Sequence, residues 1–319
     1  MDEILERPYT SPTETSSDGP ALAVLGDRLY IAWVGRGNDH LNVMPSVDLG
    51  NGVLGFNSDE KVILNYGESA EVESLGGPGL TATPDGHLLL AWTDNGGGIL
   101  GPNAARSMYG AYFDQGLNRA GFLSSLDTSD DGPAVAYWAN GNGLNTAWKG
   151  HGNNHLNVMH DMDTFTKSYS NETSPYRPAL CTADWPNFTL YIAWTGEGDG
   201  ELNLMHCDNT HPFAGQQADP TVLDSATKLT LNNEHSPSAP ACAALGKGLY
   251  LCWQGEDKHL NVIGMDLGSP DRSKRVSGQT TKHYPAIAAY RGLLFVAWTG
   301  EDDSLNVAQM EPLYSPLIP

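Results

Sequence analysis

The chain repeats one short stretch six times, and this repeat limits its fold more than any other feature. Each copy has a Trp and a turn rich in Gly, Asp and Asn, and five copies continue with Leu-Asn and an apolar residue. The tryptophans are Trp33, Trp92, Trp148, Trp194, Trp253 and Trp298, at spacings of 59, 56, 46, 59 and 45 residues. Six copies at a period of about 50 residues are typical of a β-propeller with one four-stranded blade per repeat.

A second repeated element precedes each Trp. A Pro opens an apolar run 13 to 16 residues before the Trp, and a hydroxyl residue stands four residues before that Pro. The six prolines are Pro20, Pro78, Pro133, Pro178, Pro240 and Pro285. Two elements in register predict an all-β chain, folded over residues 1–319 as a single six-bladed propeller domain with four antiparallel strands per blade. We label the strands of a blade A to D from the axis outward.

The N-terminal segment is predicted to close the ring. Residues 3–6 precede the first Pro as residues 62–65 precede the second, and residues 62–65 are expected to form the outer strand of the preceding blade. For the first repeat the preceding blade is the last one. Pairing of residues 3–6 with the blade of Trp298 would remove the exposed sheet edges of an open ring.

Strand alternation predicts where ligands bind. In strand B of the first blade, period two places Leu29, Ile31 and Trp33 on one face and Tyr30 and Ala32 on the other. Because successive strands alternate in direction, the B–C turns and the D–A loops emerge on the same face of the ring. Both repeated polar elements belong to these connections, so we expect binding on that face.

Charge and hydropathy exclude several classes of partner. The net charge is −21 over 319 residues, and such an acidic surface repels nucleic-acid backbones and anionic lipids. No apolar run approaches the ~20 residues of a membrane span, and the N-terminus lacks the apolar segment of a secretory signal. The sequence therefore predicts neither nucleic-acid binding nor membrane insertion, and a protein that is cytoplasmic or released without a signal peptide.

The four cysteines show no metal-binding spacing. There is no CxxC or Cys/His pattern, so we expect no metal site and no cofactor. We interpret the cysteines as buried thiols. Cys242 and Cys252 are the one pair placed for a disulfide, across the turn at residues 246–248.

An acidic residue stands six positions before four of the prolines. These residues are Glu14, Asp127, Glu172 and Glu234, while Val72 and Gln279 occupy the other two places. A carboxylate can accept hydrogen bonds from two neighbouring sugar hydroxyls, or it can hold the local turn. The hydroxyl residue two positions later and the Asn of Leu-Asn are both predicted to be structural.

The tryptophans and three histidines complete the candidate ligand-binding set. The set comprises Trp33, Trp148, Trp194, Trp253, Trp298, His40, His155 and His259. A Trp near a blade end can stack on a sugar ring, or its large apolar surface can pack between blades. The three histidines occupy equivalent places in separate blades, too far apart to share one metal, and are interpreted as surface donors.

An alternative function is catalysis at the mouth of the central channel. Residues that differ between blades stand just before the innermost strands, namely Asp18, Asp130 with its neighbour Asp131, Tyr176, Arg177, His283 and Tyr284. The sequence contains no GxSxG, HExxH or phosphate-binding-loop motif, so an enzyme would need a shaped pocket rather than a known motif. A protein-interaction scaffold is a third hypothesis.

The AW-x-G…LNV repeats resemble those of β-propeller lectins, chiefly the six-bladed fucose-lectin-like group. The resemblance spans the whole chain and implies carbohydrate binding at several related sites. Such lectins use a recurring Arg, Glu and Trp, and here the glutamates Glu14, Glu172 and Glu234 and the six tryptophans match two of the three. No Arg recurs in register. Some fungal pericyclases are similar propellers, which is the basis of the cyclase-type or glycan-processing enzyme alternative.

Overall fold

Six sheets stand around a central axis in the computed structural model of the protein. The structure describes residues 3–66, 70–96, 105–138, 143–160, 167–185, 188–207 and 227–314. The innermost strands of the six sheets contact one another in sequence and close a ring. The predicted all-β, six-bladed propeller is confirmed.

The strands follow one another in the order that the repeats predict. They are β1 Glu6–Thr15, β2 Ala21–Leu25, β3 Arg28–Val34, β4 Leu41–Asp48, β5 Leu54–Phe56, β6 Val62–Ile63, β7 Asn65–Tyr66, β8 Ala70–Glu71, β9 Gly79–Ala82, β10 Leu88–Thr93, β11 Ser107–Phe113, β12 Arg119–Thr128, β13 Ala134–Trp138 and β14 Gly143–Lys149. The second half comprises β15 His155–His160, β16 Lys167–Thr173, β17 Ala179–Ala183, β18 Thr189–Thr195, β19 Glu201–Cys207, β20 Leu229–His235, β21 Ala241–Leu245, β22 Gly248–Gln254, β23 His259–Asp266, β24 Arg272–Thr280, β25 Ala286–Tyr290, β26 Leu293–Thr299 and β27 Ser304–Met310. No helix in these described ranges is long and apolar enough to cross a membrane.

Each blade is one antiparallel sheet. Blade 1 holds β2 to β5 with β6 added beside β4, blade 2 holds β9 to β12, blade 3 holds β13 to β16, blade 4 holds β17 to β20, and blade 5 holds β21 to β24. Blade 6 combines β25, β26 and β27 with β1. The outer strand predicted at residues 62–65 is present as β6, which pairs with β4 of the preceding blade.

The N-terminal segment closes blade 6, although the predicted residue range is wrong. The pairing strand is β1, in which Tyr9 lies opposite Val307, and only Glu6 of residues 3–6 belongs to it. The preceding residues turn toward blade 5 instead, because Leu5 is buried between blades 5 and 6. The Glu3 carboxylate accepts hydrogen bonds from the Ser277 hydroxyl at 2.6 Å and from the Gly278 amide.

The core lies between neighbouring blades and follows the predicted alternation of strand B. Leu29, Ile31 and Trp33 pack toward blade 6, while Tyr30 and Ala32 pack toward blade 2. Each of the six repeated tryptophans is at most 2% exposed. Strand B is apolar on both faces in the first blade, whereas strand B of blade 3 buries the polar residues Asn145 and Thr146 beside Trp148.

The D–A loops and the B–C turns lie on the same face, as predicted. Ser16 forms a bridge with Gly35, and Ser129 forms one with Gly150. The Ser16 hydroxyl is buried and donates to the carbonyls of Asp18 at 2.7 Å and Val34 at 3.1 Å. Ser74, Ser129, Ser236 and Thr281 donate in the same way to the last carbonyl of strand B in their blades, so these hydroxyls tie the D–A loop to strand B and are structural.

Side chains within the B–C turns stabilise these turns through hydrogen bonds to the backbone. The Asn42 amide donates to the His40 carbonyl at 2.8 Å, and Asn157, Asn203, Asn261 and Asn306 make the equivalent bond. In the first turn Asn38 accepts from the His40 amide, and Asp39 adopts a φ of 56°, which Asp and Asn tolerate better than most residues. The polar composition of these turns is explained by this geometry.

The three cysteines whose side chains the structure describes are thiols. Cys242 lies opposite Leu251 and Cys252 lies opposite Ala241, so the two side chains project to opposite faces of the blade 5 sheet and cannot form the disulfide that the sequence left open. The interpretation as buried thiols is confirmed for Cys181, Cys242 and Cys252. Burial raises the pKa of the Cys242 and Cys252 thiols.

Candidate functional site

An ion pair covers the buried Trp at the gap between blades 3 and 4. Glu172 stands at the end of the outer strand of blade 3, and Lys228 precedes the outer strand of blade 4. The Lys228 Nζ atom lies 2.6 Å from the Glu172 carboxylate and 5.5 Å from the centre of the Trp194 ring. The ammonium group is therefore placed between a carboxylate and an aromatic face.

The Glu–Lys ion pair recurs in two other gaps, and in one of them the lysine also lies over a Trp ring. Between blades 4 and 5, Lys274 pairs with Glu234 and lies 5.3 Å from the centre of the Trp253 ring. Between blades 6 and 1, the Lys61 Nζ atom lies 2.8 and 3.0 Å from the two carboxylate oxygens of Glu14. We call these three positions, Glu14/Lys61, Glu172/Lys228 and Glu234/Lys274, the Glu–Lys gaps.

The charged groups of the Glu–Lys gaps are only partly accessible. The three glutamate side chains are 9%, 22% and 17% exposed, and the three lysines are 27%, 31% and 38% exposed. A pair that is partly removed from water interacts more strongly than a fully exposed one. These groups are still close enough to solvent for a small polar ligand to reach them.

Blade 3 carries the same elements in its sequence. Asp127 occupies the acidic position, and its carboxylate accepts a hydrogen bond of 2.7 Å from the Thr128 amide. Lys167 lies opposite Met159 on the outer strand, as Lys274 lies opposite Ile263 in blade 5. The side chain of Lys167 lies outside the described residues.

Blade 2 replaces the ion pair with apolar groups. Val72 occupies the acidic position and is buried, and Phe122 lies opposite Ala111, at the strand position of the lysines. The centres of the Trp92 and Phe122 rings are 5.6 Å apart, and Tyr109 stacks on Trp92 at 5.8 Å. Residues 97–104 of the B–C connection of blade 2 lie outside the described residues.

The tryptophan rings are packing groups in this structure. Trp33, Trp148, Trp194, Trp253 and Trp298 are 0–2% exposed, so none of these five offers a face to solvent. Burial between neighbouring blades favours the packing alternative and opposes direct stacking of a sugar on these rings, and Lys228 and Lys274 also lie over two of them. In those two Glu–Lys gaps the Trp ring forms an apolar floor.

The three histidines differ in their surroundings. The Nδ1 atom of His40 lies 2.9 Å from the Glu71 carboxylate, and that of His259 lies 3.0 Å from the Ser277 carbonyl, while His155 is exposed. The interpretation as surface donors is therefore wrong for His40 and His259, which are half-buried and engaged with neighbouring segments. Within the described ranges no group of three or more His, Cys, Asp or Glu side chains is placed to hold a metal ion.

Two long side chains close the channel mouth on the face of the D–A loops. The guanidinium of Arg177 donates to the carbonyls of Gly77 at 2.5 Å, Pro78 at 3.0 Å and Pro133, and it lies 2.9 Å from the Tyr284 hydroxyl. Arg177 and Tyr284 come from blades 4 and 6, and both are buried. They span the axis to the loops of blades 2 and 3.

Glycines on the other side of the axis make room for these side chains. A Cβ atom at Gly19 or Gly77 would collide with Tyr284, and one at Gly132 would collide with the Gly77 carbonyl and crowd Arg177. All three glycines directly precede a repeated Pro, the position that Arg177 and Tyr284 occupy in their own blades. The two large side chains, Arg177 and Tyr284, thus fill the space that the three glycines leave, and together they close the mouth.

Two carboxylates join adjacent loops around the same mouth. Asp18 accepts hydrogen bonds from the amides of Gly19 and Gly77, and Asp131 accepts from those of Gly132 and Arg177. Burial, and then the charge of Asp131, raise the pKa of Asp18 to about 7. Burial likewise raises the pKa of Tyr284 well above its ordinary value.

The structure brings together five of the seven residues named for the mouth. Asp18, Asp131, Arg177 and Tyr284 are in this cluster, and the His283 Nδ1 atom lies 3.7 Å from Asp18. Burial lowers the pKa of His283. The prediction is wrong for Asp130, and no contact places Tyr176 in the cluster.

Of the neighbouring pair Asp130 and Asp131, Asp131 is the one that lies at the mouth. Asp130 turns to the B–C turn of blade 3, where its carboxylate lies 2.6 Å from His151 Nδ1 and accepts from the Gly152 amide. Asp131 stands two residues before a repeated Pro, as Asp18 does. That shared position is the sequence signal that identifies Asp131 rather than Asp130.

The class of fold defined by these features, a six-bladed propeller closed by its N-terminal strand, was compared with known proteins and is similar to the folds of several solved structures. No family model matches the sequence, and no curated protein matches it. The similar solved structures include a lectin from Aleuria aurantia in complex with α-methyl-L-fucoside, with 11% identity, 95% of each chain covered and a TM-score of 0.62.

Two further structures have comparable scores. The lectin SapL1 in complex with α-methyl fucoside has 10% identity, 94% and 98% of the two chains covered and a TM-score of 0.59. A luciferin-regenerating enzyme has 10% identity, 97% and 96% covered and a TM-score of 0.55. At these identities the likeness shows the fold alone. The chain has the propeller fold of the fucose-lectin-like group, as its repeats implied.

Proposed function

We propose that the protein is a carbohydrate-binding protein whose sites are the Glu–Lys gaps. The observation that carries this proposal is the threefold recurrence of one glutamate paired with one lysine at the same place between blades, with the lysine over a buried Trp ring in two of the three gaps. Blade 2 keeps all four strands with apolar groups at these positions, so the fold does not require the ion pair, whereas a chain with several related sites needs such a repeat. The fold that the chain shares with fucose-binding lectins supports the proposal.

The chemistry of the Glu–Lys gaps suits sugar hydroxyls. A carboxylate accepts hydrogen bonds from two neighbouring hydroxyls, and an ammonium group donates to a hydroxyl or ring oxygen. The two groups belong to neighbouring blades, so a sugar inserted between them would contact both. The lysine takes the role that the resemblance assigned to a recurring Arg.

Calorimetry with simple sugars tests the proposal directly. The purified protein is titrated with a panel of methyl glycosides that includes α-methyl-L-fucoside. More than one equivalent site per chain is expected, between about three and five, with blade 2 inactive because it lacks both charged groups. Absence of binding across a glycan array, or a single site per chain, would overturn the proposal.

Conservative variants test the assignment of the sites. Glu172→Gln and Glu234→Gln keep the shape of the side chain and remove its charge, at an expected cost of about 1–3 kcal/mol in affinity at each altered site. The double variant should lose binding to a glycan-coated surface far more than either single variant, because avidity depends on several sites.

The matched control is Glu301→Gln. Glu301 pairs with Lys258 at 3.0 Å on the same face, but this pair joins two B–C turns rather than a Glu–Lys gap. The control variant should bind as the parent does. Equal binding by the double variant and the parent would remove these glutamates from the site.

A second candidate function, catalysis at the axis, is favoured by one observation. Asp18 has a pKa of about 7 and lies beside His283 and Asp131, which suits proton transfer near neutral pH. Access is opposed by Arg177 and Tyr284, which fill the mouth. One tight ligand per chain whose binding is abolished by Asp18→Asn, and not by Glu234→Gln, would establish this candidate over the first.

A further inference from the structure

A separate cavity opens on the opposite face of the ring, where the A–B and C–D turns emerge. It lies between blades 2 and 3 and has a volume of about 420 Å³, within the range of small-molecule sites. Its aromatic lining comes from His87, Tyr112 and Tyr137, beside one carboxylate, Asp85. Neither the Glu–Lys gaps nor the sealed mouth contributes a residue to it.

The cavity continues into the open part of the central channel. Thr83, Pro84 and Tyr137 line both spaces, and the channel there has a volume of about 490 Å³ with small side chains on its walls. A ligand can therefore enter this cavity from the face of the A–B and C–D turns, although Arg177 and Tyr284 close the channel at the face of the D–A loops. The walls formed by blades 2 and 3 decide what it recognises.

Fixed contacts orient the carboxylate of Asp85. Its oxygens accept a hydrogen bond of 2.5 Å from the Thr83 hydroxyl and lie 3.1 Å from His87 Nδ1. The Thr83 hydrogen bond lowers the pKa of Asp85, so the group is negatively charged at neutral pH. The His87 ring in turn meets the Tyr112 ring edge-on, with centres 6.3 Å apart.

The lining favours positive charge in a ligand. The described residues that line the cavity include no Lys or Arg, and the chain carries a net charge of −21. Tyrosine faces attract cations through the negative potential of the ring, and quaternary ammonium groups are commonly held among such rings. A carboxylate at the rim adds a long-range attraction that an uncharged ligand does not feel.

We propose that the cavity lined by Asp85, His87, Tyr112 and Tyr137 binds a small organic cation of the alkylammonium class. The tyrosine rings hold the methylated or alkylated ammonium group, and Asp85 supplies the countercharge. This site is independent of carbohydrate binding on the other face. It adds a second ligand class to the protein.

Choline and its uncharged isostere 3,3-dimethylbutan-1-ol are the probes, because they share a shape and differ in charge. Binding is followed by calorimetry and by saturation-transfer NMR at low ionic strength. Choline should bind at one site per chain and more tightly than the alcohol, by at least about fivefold. Equal affinity for the two probes, or no binding of choline, would overturn the proposal.

Variants in the cavity locate the site. Tyr137→Leu removes an aromatic face and should weaken choline binding by about fivefold, whereas Tyr137→Phe retains the face and should bind as the parent does. Asp85→Asn should weaken choline binding and leave the weak binding of the alcohol unchanged. If Tyr137→Leu fails to fold, the Asp85 and Phe variants still decide the question.

The control for general electrostatics is Asp27→Asn. Asp27 lies in the A–B turn of blade 1, on the same face, and this variant removes the same charge outside the cavity. It should bind choline as the parent does. An equal loss with Asp27→Asn and Asp85→Asn would show attraction to the acidic surface as a whole and would overturn the proposed site.

Discussion

The gap before blade 5 and the gap before blade 2 differ in polarity at the same place in the fold: the first holds a charged pair and the second holds apolar side chains. In the first, Glu234 and Lys274 cover Trp253; in the second, Val72 and Phe122 lie at the same positions around Trp92. Both blades are complete four-stranded sheets. The fold therefore does not require charge at this position.

The comparison of the two gaps bears on why three gaps carry charged pairs. Partly burying two ions has a desolvation cost that their attraction offsets only in part, and apolar residues of similar size often replace such pairs without loss of stability. Blade 2 shows that this chain can form the apolar version. Because the charged version is nonetheless used in three gaps, the difference supports a role in binding rather than in folding.

The largest expected effect comes from the element that the two gaps share. Trp253→Ala and Trp92→Ala each remove a fully buried ring, so each should lower the free energy of unfolding by about 3–5 kcal/mol. Chemical denaturation measures both values. A cost under about 1 kcal/mol for Trp253 alone would break the comparison, because its ring would then be a binding group rather than a packing group.

An effect of intermediate size on stability is expected at Asp18, a carboxylate that does not pair with a lysine. The folded-state pKa of Asp18 is about 7, raised by burial, so ionisation destabilises the fold as pH rises from the ordinary value near 4 toward 7. The penalty is complete above pH 7 and absent below pH 4. Asp18→Asn should therefore be more stable than the parent by about 1–2 kcal/mol above pH 7, a value reduced for the quarter of the side chain that solvent reaches.

Asp130→Asn is the control of opposite sign. Burial acts to raise the pKa of Asp130, but the Gly152 amide and His151 outweigh it, so the net shift is downward. Its stabilising effect is present above the ordinary pKa and is lost on acidification. Asp130→Asn should be less stable than the parent at neutral pH, and thermal unfolding across pH 4–8 measures both variants. The same sign for both would contradict the assigned environments.

The smallest effect on stability tests the comparison most directly. The double variant Glu234→Val/Lys274→Phe places in blade 5 the apolar side chains that blade 2 has at these positions. The free energy of unfolding of this variant should stay within about 1 kcal/mol of the parent value. Lys274→Ala alone leaves Glu234 partly buried without its partner and should cost about 1 kcal/mol. Denaturant titration measures both, while calorimetry should show one glycan site fewer in the double variant.

The fold was predictable because its repeats are local and in register. Period two in strand B assigned Leu29, Ile31 and Trp33 to one inter-blade surface and Tyr30 to the other, and the structure has them there. The closing strand was predictable as a segment but not in its limits. The reason is that Leu5 is as apolar as a strand residue and is instead buried where blades 5 and 6 meet.

The site was predictable only in part. The glutamates stand at a fixed distance from a Pro, but the lysines do not stand at a fixed distance from the Trp, because the connection between strands C and D varies in length. Only pairing across the sheet aligns them, as with Lys274 opposite Ile263. A weaker signal is present in the sequence: Lys167 and Lys228 stand five and six residues before the next acidic position.

The closing strand β1 carries Glu14, and this determines when one of the Glu–Lys gaps can form. The strand precedes its partner β27, residues 304–310, by nearly 300 residues, so it is synthesised long before that partner. Until β27 has been made, β1 is an unpaired edge that is open to pairing with another nascent chain. This gap can therefore form only after all six blades have been synthesised, and its ligand binding depends on that order.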